Sequence, residues 1–217
     1  MKQQERQAHS RREILTAAME EFGSRDYAQV NMENICKNHG ISKGMMYHYY
    51  SNKDELFLLC VEDTFNALND YVIQHKDRLN SPDIPERIRD YFILREYFFQ
   101  LDPKRKQIFE TAMLHPPKHL RGQIQALREP LRRTNQAFLE QAVHSRILRP
   151  GLDRERVIRY LDRMEAVFQE IFLSDQNSES VPDLHALLEL AGEAVDLLLF
   201  GVLRQEDTAA SAAPDAQ

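Results

Sequence analysis

Between residues 40 and 56 the chain reads Gly40-Ile41-Ser42-Lys43-Gly44-Met45-Met46-Tyr47-His48-Tyr49-Tyr50-Ser51-Asn52-Lys53-Asp54-Glu55-Leu56, and these seventeen residues govern the reading of the rest. Glycine takes the left-handed C′ conformation without strain, so Gly40 ends whatever helix precedes it. That helix is short, Met32 to His39, with Asn31 as its cap and Met32, Ile35 and Cys36 on its inward face. Ile41 follows as an apolar plug, and Ser42 can cap a third helix over Lys43 to Tyr50. Two short helices joined by a tight glycine turn make a helix-turn-helix. At 3.6 residues per turn, Met46 and Tyr50 share the inward face, while Gly44 and His48 point outward between Met45 and Tyr47. A helix this short does not stand alone, so its inward face must be packed and its outward face is free for contact. Gly44 permits close backbone approach, and Tyr47 and Tyr49 offer hydroxyls for phosphate and rings for a thymine methyl.

Working outward, Asn52 with Glu55 three residues on resembles a capping box, opening a long fourth helix that reaches His75 to Leu79. Lys53 then lies in a first helical turn, where a cation is disfavoured unless a phosphate shares the site with the free N–H groups. Upstream, Ile14, Leu15, Ala18 and Phe22 give one apolar face to a helix from about Gln7, stopped by Gly23. Residues 1–9 read as a flexible tail, although its basic residues, Lys2 to Arg12, could serve as an arm in a minor groove. Downstream, breaks at Ser81-Pro82, Asp102-Pro103, His115-Pro116-Pro117 and Arg149-Pro150-Gly151 separate helical patterns over about 85–100, 103–114, 118–147, 153–173 and 183–204, with Pro130 set to kink one of them. The last twelve residues, 206–217, are small and polar and read as disordered. The expected fold is all-α with about nine helices, in an N-terminal domain over 1–52 and a larger helical domain over 53–205.

Composition agrees with a helical globular chain: seven glycines, no tryptophan, and 42% apolar residues in short runs. No secretory signal opens the sequence, and no apolar run approaches the roughly 20 residues that span a bilayer. The expected location is the cytoplasm, with no membrane partner. Cys36 and Cys60 form neither a disulfide framework nor a metal cluster, and His115 and His119 have two prolines between them and no third ligand. No metal or cofactor is expected. The net charge of −6 divides unevenly: residues 1–53 carry +2 and the remainder −8, the layout of a nucleic-acid reader with a separate second domain.

The segment over 40–56 resembles the TetR family of bacterial repressors, whose signature runs G-[VI]-S-x-G-x-x-Y-x-[HY]-F-x-x-K-x-x-L. Gly40, Ile41, Ser42, Gly44, Tyr47, Tyr49, Lys53 and Leu56 match it, and Tyr50 stands where the family usually has Phe. The helix bearing Ala17, Ala18 and Phe22, then Gly23, also fits, so the resemblance covers about residues 10–58. It implies that Ser42, Lys43, Gly44, Met45, Tyr47, His48, Tyr49 and Lys53 lie at DNA, and that residues near Asn31 and Met32 touch its backbone. Met45 departs from the usual small or hydroxylated residue, and Met32 and Glu33 from residues that are often polar or basic. The operator therefore cannot be borrowed from a relative. The implied protein is a one-component regulator, most simply a repressor, that binds an inverted-repeat operator as a homodimer and is released by a small effector.

Two further sets of residues carry expectations. Phe98, Phe99, Phe109, Met113, Phe138, Met164 and Phe168 supply aromatic and thioether surface for an apolar effector pocket between helices, where ligand sites in bundles tend to form. Tyr160, Met164, Val167, Leu190, Ala194, Leu197, Leu198 and Gly201 lie on helices apolar around more than one face, which predicts a two-fold dimer interface built as a four-helix bundle. Two rival readings are a helical interaction module of this fold without DNA binding, and a small helical enzyme. The second finds no nucleophile constellation, phosphate loop or supported carboxylate pair in the sequence.

Overall fold

The computed structural model describes residues 3–144, Leu148 and residues 151–160. Every regular element among them is helical: α1 (Gln3–Phe22), α2 (Met32–His39), α3 (Lys43–Tyr49), α4 (Lys53–Gln74), α5 (Ile84–Leu101), α6 (Pro103–Met113), α7 (Arg121–His144) and helical residues 154–160, with single 3-10 turns at Tyr27–Gln29, Lys76–Arg78 and Lys118–Leu120. The all-α expectation holds among the described residues, and the breaks foreseen at Ser81-Pro82, Asp102-Pro103 and His115-Pro116-Pro117 fall at the boundaries of the elements. Asp102 caps α6, accepting from the N–H groups of Lys104 and Arg105 at 3.2 Å each, and Pro103 opens the helix where its missing N–H costs nothing.

Two details of α1 differ from expectation. It begins at Gln3 and not near Gln7, because Gln, Glu, Arg and Ala form helix readily and nothing from Gln3 to His9 interrupts it. The stretch 3–9, read as a flexible tail, is therefore helical. Gly23 does end the helix, but left-handed φ is found at Gly40 and Gly151 and not at Gly23. Its reason is space: a Cβ there would lie 2.4 Å from Cβ of Lys104 and 2.8 Å from its Cα. Glycine lets α6 press directly on the end of α1.

The chain divides into two compact units, residues 1–79 with 91–135, and residues 80–90 with 136–217. In the first, α1 is the central strut. It buries Ile14, Ala17, Ala18, Glu21 and Phe22, at steps of three and four, against α2, α3, α4 and α6. Phe22 and Phe57 meet with ring centroids 5.2 Å apart, and Tyr27 closes on Phe57 at 5.0 Å. Along α4, Leu56, Phe57, Cys60, Val61, Phe65 and Leu68 are buried, and the thiols of Cys36 and Cys60 are free and buried, as their apolar settings suggested. The α1–α6 contact is edged by an ion pair between Lys104 and Glu20, and Arg105 reaches Asp63 on α4 at 2.7 Å. In the second unit, Val157 is buried beneath Leu139, Leu148 and Leu152.

Tyr160 is half exposed. The other residues expected at a dimer interface (Met164, Val167, Leu190, Ala194, Leu197, Leu198 and Gly201) lie outside the described residues, as do Phe168, the segment 183–204 and the tail 206–217. No helix among the described residues is long and apolar enough to cross a membrane.

Candidate nucleic-acid interface

Three caps and one glycine fix the geometry of the helix-turn-helix. The side chain of Asn31 accepts from the N–H of Asn34 at 2.8 Å and starts α2. Gly40, at φ 67° and ψ 19°, stops it, while the N–H of Ile41 returns to the carbonyl of Cys36 at 3.0 Å. Ser42 Oγ accepts from the N–H of Met45 at 3.1 Å and starts α3. Asn52 accepts from the N–H of Glu55 at 3.0 Å, and Glu55 accepts in return from the N–H of Ser51 at 2.8 Å. That reciprocal pair is the capping box foreseen at α4, shifted one residue upstream on its return bond. Ile41 and Met46 are buried against α1, which sets the roll of α3 about its axis.

With that roll fixed, the outward residues of α3 are determined. Tyr47 is 51% exposed, His48 and Lys43 are exposed, and a Cβ on Gly44 would meet nothing within 4 Å. Met45 and Tyr49 are half buried, and the rings of His48 and Tyr49 meet edge to face at 4.8 Å. Ser42 retains its hydroxyl hydrogen as a donor, because its oxygen acts as the acceptor of the cap. Asn31 is likewise exposed, with its carboxamide N–H₂ not used in the cap. Lys43 pairs with Glu33 at 2.6 Å, both side chains well exposed. The hydrogen bond and charge of Lys43 hold the Glu33 carboxyl below its ordinary range, and Glu33 raises the lysine in turn.

Two expected contact residues are placed differently. Met32 is only 6% exposed, with its side chain in the core, so it has no side chain to offer a phosphate. Its sequence position allowed both roles, and the inward face of α2 took it. Lys53 has protein partners of its own. Its ammonium donates to the carbonyls of Tyr27 at 3.0 Å and Val30 at 3.3 Å and lies 4.3 Å from the centre of the Tyr27 ring. The cation at the start of α4 is thus offset by carbonyls that leave the 3-10 turn, and a phosphate is not needed to account for it. One of its three N–H donors remains uncommitted by these bonds.

A cluster the sequence did not suggest lies beside it. Tyr27 donates its hydroxyl to Asp54 Oδ1, and His119, from the turn after α6, meets Asp54 Oδ2 at 2.8 Å. The Tyr27 bond first, and His119 after it, hold the Asp54 carboxyl below its usual range. Burial and the neighbouring carboxylate push the Tyr27 phenol up. The contact joins residues 65 apart in the chain, so local pattern carried no sign of it. Of the expected effector residues, the structure brings together Phe98, Phe99 and Phe109, with centroids 5.2 and 4.8 Å apart. That is direct ring packing, and Phe98 and Phe99 are buried. Met113 is half buried on α6, and Phe138 half buried in the second unit.

A small capped helix with polar and aromatic groups outward, standing on a buried turn, is the architecture of a DNA-reading helix-turn-helix. Residues 14–60 match the family described as bacterial regulatory proteins, tetR family. The chain is 25% identical over 111 residues to the biofilm operon icaADBC HTH-type negative transcriptional regulator IcaR of Staphylococcus epidermidis, over 51% of this chain and 57% of that relative's length. It is 23% identical over 196 residues to the HTH-type transcriptional regulator YdgC of Bacillus subtilis, covering 89% of this chain and 93% of the relative. Its fold is similar to the crystal structure of the transcriptional regulator FadR from Bacillus subtilis in complex with stearoyl-CoA, with a TM-score of 0.61 at 17% identity over 87% of this chain and 97% of that one. Over residues 14–60 the chain is thus similar to the N-terminal domain of the tetR family of bacterial regulatory proteins, and its fold is similar to that of solved tetR-family regulators.

Proposed function

We propose that the protein is a repressor that binds an inverted-repeat operator as a homodimer, with residues 1–52 as the reading head and residues 53–205 as the regulatory and dimerising part. One observation carries the reading: α3 buries Met46 and turns Lys43, Gly44, Tyr47 and His48 outward as a contiguous face. In such a complex Tyr47 reads a base edge, Ser42 and Tyr49 donate hydroxyls to phosphates, and the open side of Gly44 admits the DNA backbone. Asn31 and the spare N–H of Lys53 contribute backbone contacts. IcaR is described as a negative regulator, which favours repression for this relative of it.

An apolar small molecule is the effector class we favour. The support is the concentration of Phe98, Phe99, Phe109 and Met113 in the α5–α6 region, together with a fold similar to a FadR that was crystallised with stearoyl-CoA. The proposed dimer rests on the apolar, small-residue faces of the sequence over 153–204. Selection of bound duplexes from a random pool tests the central reading, with light scattering on the same sample. An inverted repeat retained by a species of twice 25.4 kDa is expected. Failure to retain any duplex refutes DNA binding and leaves the interaction-module reading.

A further inference from the structure

The head's core ends at Ile14, yet α1 continues N-terminally to Gln3. At 1.5 Å per residue that is an overhang of about 16 Å. Along it, Gln4, Gln7 and Arg11 prolong, at steps of three and four, the stripe that Ile14, Ala18 and Glu21 bury further on. The three polar residues thus occupy the inward-turned side of the helix, but all three are exposed. The stripe runs off the end of the protein core.

Arg11 shows where it runs to. Its guanidinium lies 5.5 Å from the centre of the Tyr49 ring on α3, and its charge is felt at the Tyr50 hydroxyl as well. Tyr49 in turn meets the ring of His48, on the outward face of the same helix. The overhang is therefore tied to the flank of α3 and is continuous with the face proposed to enter DNA. A guanidinium stacked on an aromatic ring keeps its planar N–H edge free, and that edge matches a phosphate bidentately.

The geometry points to a second strip of the DNA interface: Gln4, Gln7 and Arg11 lie along the phosphate backbone flanking each half-site, with Arg11 as the anchoring contact. This deepens the reading of α3 as a DNA-binding helix and rests on it. The occupant is DNA because the strip is cationic and amide-bearing, adjoins α3, and is held to it by Arg11. A glutamine carboxamide can donate to phosphate oxygens as the guanidinium does.

The test uses the full-length chain and a duplex of about 40 base pairs that it retains from a random pool, with affinity measured across salt concentrations and hydroxyl-radical footprints taken. Arg11→Gln is expected to reduce the salt slope by about 0.9 per head and to weaken binding on the order of tenfold per head at 0.1 M salt. The footprint should lose protection on a short backbone stretch flanking each half-site and keep it at the centre. Gln7→Glu, at an exposed position, should weaken binding and lose the same flanking protection. Arg12→Gln, one residue away but on another side of α1, should match the wild type. A lower melting temperature for Arg11→Gln with the slope and footprint unchanged would make the Tyr49 stack merely structural and overturn the inference. Equal losses for Arg11→Gln and Arg12→Gln would also overturn it, since that is diffuse charge and not a contact. A wild-type chain that retains no duplex overturns both this and the reading beneath it, whereas protection confined to the half-site centres overturns this one alone.

Discussion

Replacing Gly23 by alanine adds one methyl group where two helices already touch. Because φ at Gly23 is not left-handed, alanine has no backbone penalty there. On backbone grounds alone it should stabilise, by about 0.4–1 kcal/mol, through a less flexible unfolded chain. The new Cβ, however, would sit 2.4 Å from Lys104 Cβ, 2.6 Å from the carbonyl oxygen of Met19 and 2.8 Å from Lys104 Cα. Carbon atoms prefer about 3.5–4.0 Å, so relief requires α1 and α6 to part by about 1 Å. Two of the three neighbours are backbone atoms and the third is the first atom of a side chain, so no rotamer change removes the clash. Overpacking of this kind costs about 1–3 kcal/mol, which exceeds the entropic gain. The expected result is a net loss of about 1–2 kcal/mol, seen as a lower urea midpoint with unchanged m-value, and a fall of about 2–8 °C in melting temperature. Lys104→Gly should be less harmful in the Gly23→Ala background than in the wild type, which a double-mutant cycle reads directly. A Gly23→Ala protein as stable as wild type, or more so, would refute the reasoning.

Other consequences are separable by assay. Lys53→Met keeps the stem and removes the charge from the carbonyls of Tyr27 and Val30, so it should lower stability without DNA present by about 1–2 kcal/mol; unchanged melting of the free protein would reject the anchoring role. Glu33→Gln removes a carboxylate from the proposed DNA face and releases Lys43, so duplex binding should tighten and its salt slope steepen by about one per head. An unaltered slope would mean that neither residue approaches phosphate. The depressed carboxyl of Asp54 stabilises the fold above its unfolded value, about 3.9, and that contribution disappears as pH falls through the lower folded value. Wild type should therefore lose stability below about pH 4 more steeply than Asp54→Asn; parallel pH profiles would argue that the Tyr27–Asp54–His119 cluster contributes nothing.

Much of the fold was legible because its determinants are local. Gly40, Ser42 and Asn52 announce a stop and two starts within thirteen residues, and each makes the backbone bond that its type suggested. The apolar steps of α1 likewise named the face that is buried through Ile14, Ala18 and Phe22, while Leu15, beside it, is half buried. What escaped was long-range. Nothing near Gly23 discloses that Lys104, 81 positions away, needs the room, and nothing near Asp54 discloses His119. The overhang of α1 was missed for a different reason. A flank whose one apolar residue is Ala8 reads as a tail by composition, although its helix formers, and the spacing of Gln4, Gln7 and Arg11, were there to be seen.

The matched signature positions also divide by what they do in the structure. Gly40, Ile41, Ser42 and Leu56 set the turn, the plug, the cap and the core, and Lys53 braces the start of α4 against the 3-10 turn. Gly44 and Tyr47 face outward with open space before them, and Tyr49 sits half buried between His48 and Arg11. Most of the signature therefore specifies how α3 is held, and fewer of its positions specify what α3 meets. On the proposed reading, the residues outside it best placed to individualise base recognition are His48 and Met45, because the Arg11 strip is assigned to the phosphate backbone. A transplant of these side chains into another head of the same signature should carry sequence preference with it.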